Sequence, residues 1–284
     1  MGEHPATVLL AQLQPVTNDV ISSAHLVGEL LAEHADVDIA VFPELFLSGN
    51  SLSFVRESAV PLGSRVVERI RDSARRSQTA VIVGFAERLS GFPSDTALCV
   101  DADGEIAGIY RKVHLAEEEH RHLSPGSAFA VVSLAGLRVA PLMAGDLAFP
   151  EAARVVARSG IDLLVTIAAT EDRDAEEHTL LVRARAIENR VPHVYVNRVG
   201  YESGRRYCGE STVVDAAGSP LVTLFPSRPE VRTVRVPIGA VVEPDHPGGA
   251  REEVQVHPDA SPSRRHGDQR DGGAGTGWGG GGPT

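Results

Sequence analysis

The sequence predicts an α/β protein in which mixed β-sheets are covered by helices on their outer faces. Three observations carry this. Apolar runs of strand length alternate with amphipathic stretches of helical length. Some consecutive strands are joined by helices and others by short turns, so parallel and antiparallel neighbours should coexist. No segment repeats at a fixed period along the 284 residues.

Each element has its own reason. "TVLLAQLQP" is an apolar strand. "NDVISSAHLVGELLAEH" has apolar residues at helical spacing, with Asn18 or Asp19 as the N-cap. "VDIAVFP" is a second strand, ended by Pro43. "SRVVERIRDSARRSQ" is an amphipathic helix and "AVIVGFAE" a strand. The rhythm then changes. "TALCVDADGEIAGIYRK" reads as a hairpin turning at Asp103–Gly104, and "AFAVVSLAGLRVAPLMA" as two strands joined at Ala135–Gly136. Helix "FPEAARVVARSG", strand "IDLLVTIAA", helix "DAEEHTLLVRARAIENR" and strand "PHVYVNRVG" restore the alternation. A hairpin, "STVVDAAGSPLVTLFP", and a last strand, "VRTVRVP", close the folded domain, residues 1–241. Residues 242–284 are rich in Pro, Gly and charge and contain the only Trp, Trp278. They are expected to be a disordered tail.

Composition narrows the class. A net charge of -11 argues against nucleic acid or an anionic membrane as partner. No apolar run approaches the ~20 residues of a membrane span. The N-terminal residues lack the features of a signal peptide, so the expected location is cytoplasmic. Cys99 and Cys208 offer neither a disulfide framework nor metal-ligand spacing. Of the 27 Lys and Arg residues, one is Lys, Lys112. A chain that writes Arg at every other basic position points to a place where a compact ammonium is required and a guanidinium fails.

Three segments combine charge with a strand end. In "AVFPELFLSGN", Glu44 follows an apolar strand, where partial desolvation would raise its pKa and suit it to base chemistry. In "GIYRKVHLAEEEHRHLSPG", Lys112 ends a strand and precedes Glu117, Glu118, Glu119 and three histidines. These lack the order of a metal motif, and a solvated, partly catalytic loop is preferred to a metal site. In "PLMAGDLAFPEAAR", a strand meets a helix at Ala144–Gly145–Asp146, a turn whose backbone N–H groups can stabilise an anion. Asp146 is expected to be the helix N-cap.

In order and spacing these segments resemble the nitrilase superfamily of carbon–nitrogen hydrolases. "FPELFLSG", "YRKVHL" and "GDLAFPEAAR" look like its Glu, Lys and Cys segments, and "RARAIENRVPHVYVNRVG" and "YCGESTVVDAAGSPL" resemble flanking motifs. The resemblance implies a nitrilase-type α-β-β-α sandwich, a homodimer or larger homo-oligomer, and cofactor-free hydrolysis of nitriles, amides or carbamoyl groups by a Glu–Lys–Cys triad. It implies Glu44 as general base, Lys112 as oxyanion stabiliser, Glu119 as an accessory carboxylate that positions substrate, and the Gly145 N–H as an oxyanion donor. The nucleophile position falls on Ala144. Gly145, where many members have an aromatic residue, and Asn50, where the family often has Tyr, are further departures.

A methyl group cannot form the covalent intermediate of that mechanism. The preferred expectation is therefore a protein that binds an amide, nitrile or carbamoyl ligand with little or no turnover. The alternative is an active amidase-type hydrolase, either an engineered Cys-to-Ala form or one in which Glu44 activates water. No cofactor and no metal are expected.

Overall fold

In a computed structural model, residues 5–34 and 36–239 are described, so the expected tail at 242–284 lies outside them. The strands in chain order are β1 (Ala6–Gln12), β2 (Ile39–Val41), β3 (Ala80–Glu87), β4 (Ser94–Val100), β5 (Ile106–Arg111), β6 (Val132–Leu134) and β7 (Leu137–Met143). They continue as β8 (Leu163–Ala168), β9 (His193–Asn197), β10 (Val199–Glu202), β11 (Arg205–Cys208), β12 (Thr212–Val214), β13 (Pro220–Thr223) and β14 (Glu230–Val236). The helices are α1 (Val20–Glu33), α2 (Val55–Ser58), α3 (Arg65–Ser77), α4 (Pro150–Ala157) and α5 (Ala175–Asn189).

Two six-stranded sheets result, ordered β14-β1-β2-β3-β4-β5 and β13-β12-β9-β8-β7-β6. Both are mixed. β1, β2 and β3 run parallel, as do β7, β8 and β9. The hairpin-linked strands are antiparallel, and β14 returns across the chain to pair antiparallel with β1.

The strands are apolar throughout because both of their faces are covered. Alternate residues of the first sheet point opposite ways. Val8, Leu10, Ile39, Val41 and Ile82 share one core with Val139, Leu142, Leu163, Val165 and Val194 of the second sheet. Leu9, Ala40, Val81 and Val83 pack instead on Val27 and Leu31 of α1 and Val67 and Ile70 of α3. On the outer side of the second sheet, Val182 and Ala186 of α5 meet Ala168, Tyr195 and Val214. The layers are thus helix, sheet, sheet, helix, the sandwich expected.

Helix boundaries follow local chemistry. Asp19 accepts hydrogen bonds from the N–H groups of Ile21 and Ser22 and so caps α1. Ser64 caps α3 through the Val67 N–H, and Gln78 ends it in the left-handed region.

One expected strand is divided. "PHVYVNRVG" forms β9 and β10 with a break at Arg198, and β10 pairs with β11 as a separate two-stranded ribbon. The cause is polar. The Asn197 amide donates to the carbonyls of Thr170 and Gly209 and accepts from the Thr170 N–H, fixing the edge of the sheet. Arg198 is fully buried, paired with Glu202 at 2.5 Å and stacked over Tyr207.

His193 on β9 lies buried between the Thr166 hydroxyl and the Val182 carbonyl. Burial pushes its pKa down to about 4. The folded chain therefore resists binding a proton that the unfolded chain takes up. Stability from this group is fully present above pH ~6.5 and is lost as pH falls towards 4, by on the order of 3 kcal/mol. Urea unfolding of the native chain and His193→Gln, compared at pH 7 and pH 4.5, is expected to show a shallower acid decline in the variant.

Candidate functional site

Glu44, Lys112, Glu119, Ala144 and Gly145 come from four separate segments, and the fold brings them to one place. Glu44 sits just beyond β2. Leu45 adopts φ 50, in the left-handed region that a leucine rarely enters, and this bend turns the chain back over β3. The loop lies directly on Gly84 of β3. The Gly84 N–H donates to the Pro43 carbonyl, and the Leu47 N–H donates to the Gly84 carbonyl. A Cβ at 84 would lie 2.4 Å from the Leu45 nitrogen and 2.7 Å from the Glu44 Cα, so only glycine allows this approach.

Lys112 follows the last residue of β5. Its ammonium donates to Glu44 Oε1 at 2.7 Å and to Glu119 Oε1 at 2.8 Å. Glu119 opens the 3-10 turn Glu119–Arg121, and its other oxygen accepts the Ala116 N–H, which closes the loop that carries it. All three side chains are buried. Glu118, on the same turn, faces the other way. With Asn50, Arg121 and Arg205 it lines a surface pocket of about 290 Å³, and it accepts a hydrogen bond from Arg205.

Ala144 begins a short 3-10 turn after β7 and is buried beside this cluster. Its N–H faces the Glu44 carboxylate. Gly145 backs onto Lys112: a Cβ there would lie 3.1 Å from Lys112 Cε and 2.6 Å from the His114 carbonyl oxygen. A side chain at 145 would push the turn away from the loop that carries Lys112 and His114.

Asp146 is not the N-cap that the sequence suggests. Helix α4 starts later, at Pro150, with Phe149 in the cap position and no side-chain cap bond. The Asp146 carboxylate instead points inward, fully buried, and accepts from the Tyr110 hydroxyl at 2.6 Å and the N–H groups of Met143 and His114. It fastens the Ala144 turn to the strand that delivers Lys112.

The electrostatics also differ from expectation. Burial does push the Glu44 pKa up, but the Lys112 ammonium, a hydrogen bond shared with Asp95, and the Ala144 N–H outweigh it, and the carboxyl is held below its ordinary value. Glu44 is thus held as the ionised partner of Lys112. Burial alone would lower the Lys112 pKa. Glu44, Glu119 and Asp95 together hold it well above the usual value. Cys99 and Cys208 are both buried, and burial pushes each thiol up to about 12. Neither supplies a thiolate.

Sequence reading missed Asp95. It lies within β4, fully buried, 3.9 Å from Lys112 Nζ. The signal was a carboxylate in the otherwise uncharged strand "SDTALCV". Glu44, Asp95 and Glu119 present oxygens within 4.8 Å of one another, a spacing that could hold a cation. The Lys112 ammonium supplies that positive charge, bonded to two of the three.

The profile of the carbon-nitrogen hydrolase family matches residues 7–243. The chain belongs to the carbon-nitrogen hydrolase family. Among its relatives, an (R)-stereoselective amidase of Pseudomonas sp. is 35% identical over 201 residues, covering 70% of this chain and 72% of that protein. A solved CN-hydrolase superfamily protein from Xanthomonas campestris, with an arsenic adduct in its active site, superposes with a TM-score of 0.75 at 29% identity, covering 84% of this chain and 91% of that one. The amidase of Nesterenkonia sp. superposes with a TM-score of 0.76 at 28% identity, covering 84% and 92%. That amidase is also known as a mutant with the acetamide moiety of fluoroacetamide covalently added at the active site cysteine. A double mutant of it, one change being cysteine to alanine, is known in complex with acrylamide.

Removing the Lys112 charge leaves a buried set of carboxylates without a counter-ion. Lys112→Met is expected to destabilise the fold by about 3–5 kcal/mol at pH 8. The Glu44 and Glu119 carboxyls then lose the cation that favours their ionised forms, so the variant gains more stability than the native chain as pH falls towards 5. Urea unfolding across that range reads the difference.

Proposed function

We propose that this family member binds the amide, nitrile or carbamoyl group of a small molecule at Glu44, Lys112 and the Ala144–Gly145 turn, and holds it with little or no turnover. The observation that carries the reading is the buried Lys112 ammonium, bonded to Glu44 and Glu119 and backed by Gly145, with a methyl group where the turn presents its side chain. A carbonyl oxygen placed beside Lys112 would meet the ammonium and the Gly145 N–H, and the adjacent NH₂ group would meet Glu119. The missing partner is the nucleophile, the position we assign to Ala144.

The acrylamide complex of the Nesterenkonia amidase double mutant supports this. There a protein of the same fold, with a glutamate changed to glutamine as well as a cysteine to alanine, is known with an amide bound. Attack by a Glu44-activated water is the weaker reading, because Lys112 and its neighbours hold the Glu44 carboxyl low and so reduce its basicity. The homo-oligomer and cytoplasmic location implied by the sequence belong to the same proposal. Among the described residues no helix is long and apolar enough to cross a membrane.

Calorimetric titration of the native chain with acrylamide and acetamide is expected to show saturable binding. Ala144→Cys, assayed against amides, nitriles and carbamoyl amino acids, is expected to hydrolyse at least one of them ~10³-fold or more faster than the native chain. Native turnover equal to that of Ala144→Cys would overturn the proposal.

A further inference from the structure

Asp95 has no place in the proposed chemistry, and its surroundings are unusual. Both of its oxygens are buried and neither accepts a hydrogen bond. Lys112 Nζ stands at 3.9 Å, too far for a hydrogen bond, because Glu44 and Glu119 already hold that ammonium at 2.7 and 2.8 Å. The groups facing Asp95 are Glu44 from the loop after β2, Tyr110 of β5 and Lys112 just beyond it, and Glu119 from the turn. On the neighbouring residue of β4, Thr96 donates to Glu87, which is itself paired with Arg111. Three buried carboxylates therefore surround one ammonium within 4.8 Å. If all were ionised, the cluster would carry two excess negative charges in a buried site, and two carboxylate oxygens would be left facing each other without a donor.

We infer that Asp95 is a positioning residue that holds a proton in the resting site and donates it to Glu44. One proton resolves both defects. It gives the Asp95 carboxyl a partner, and it holds the Glu44 carboxylate by a second hydrogen bond beside that of Lys112. The proton resides on Asp95 because Glu44 is already stabilised as an anion by Lys112 at 2.7 Å and by the Ala144 N–H, whereas Asp95 has no such bond. Burial and the charge of Glu44 accordingly hold the Asp95 carboxyl well above its ordinary range. Glu44 thus sits between a cation and a neutral acid, fixed in direction and kept ionised.

Two measurements on the native full-length chain test this without relying on the proposed chemistry. Infrared spectra at pH 7 are expected to show the carbonyl band of a buried carboxylic acid that moves when aspartate is labelled with heavy carbon and is lost in Asp95→Asn. Linkage gives the second. A proton held folded and released unfolded costs stability as pH rises, so the stability gain of Asp95→Asn over the native chain should grow about tenfold in unfolding equilibrium constant per pH unit between pH 5 and 7. In the Ala144→Cys chain, Asp95→Leu should lower kcat at least tenfold with little change in KM, and Asp95→Asn should recover most of that loss. Absence of the band, or a pH-independent difference between Asp95→Asn and native, would overturn the inference. A silent Ala144→Cys chain would count against the hydrolase-like pocket, while the two measurements on the native chain still decide this one.

Discussion

The site depends on one buried cation. Lys112 is the only lysine of the chain, and it lies where carboxylates from three separate segments converge. Glu44 arrives on a loop bent over Gly84, Glu119 on a short turn after β5, and Asp95 from within β4. Without the ammonium these groups repel each other in a space that water cannot screen. With it they form a rigid cluster, and the turn at Ala144 closes against it through the bonds of Asp146. A guanidinium would not serve in the same place. Its planar fork is wider than an ammonium, and Gly145 already stands so close that a single Cβ would crowd Lys112 Cε.

The layering and most of the strand and helix order were legible in the sequence, because burial on both faces writes apolar runs and helical burial writes a stripe. Glu44, Lys112, Glu119, Ala144 and Gly145 were legible as candidates because strand ends, the lone lysine and a familiar motif order marked them. Asp95 was not, since a single carboxylate inside a strand reads as a solvent-facing residue until its neighbours are placed. Asp146 was misread for a related reason. Its position before a helix favours a cap, but the helix begins only at Pro150, and the carboxylate is claimed by Tyr110 of β5 and His114 of the loop that follows it. The break at Arg198 was hidden because the signals that end β9 are hydrogen bonds to Thr170 and Gly209, far along the chain.

Desolvation alone predicted the wrong sense for Glu44. A carboxyl at the end of an apolar strand should hold its proton more tightly, which would make it a better base. The structure adds a cation at hydrogen-bond distance, and that interaction wins. The cost of burial is displaced onto Asp95, the carboxyl that accepts no hydrogen bond. Reading Glu44 or Lys112 by its own burial gives the wrong sense of shift; the cluster has to be read as a unit.

That unit bears on why the pocket persists without a nucleophile. A buried ion cluster is a poor source of stability, since apolar residues of similar volume would hold the same sheets together at least as well. Its value lies in presenting fixed charge to something that enters. An alanine at 144 adds no charge to be compensated, so the balance among Lys112, Glu44, Glu119 and Asp95 stands undisturbed. A thiolate at the same place would add a further negative charge to a cluster that already carries more carboxylates than cations. On the proposed reading, the chain keeps the parts that would orient a polar ligand without the one that would attack it, and the electrostatics of the site are self-consistent in that state.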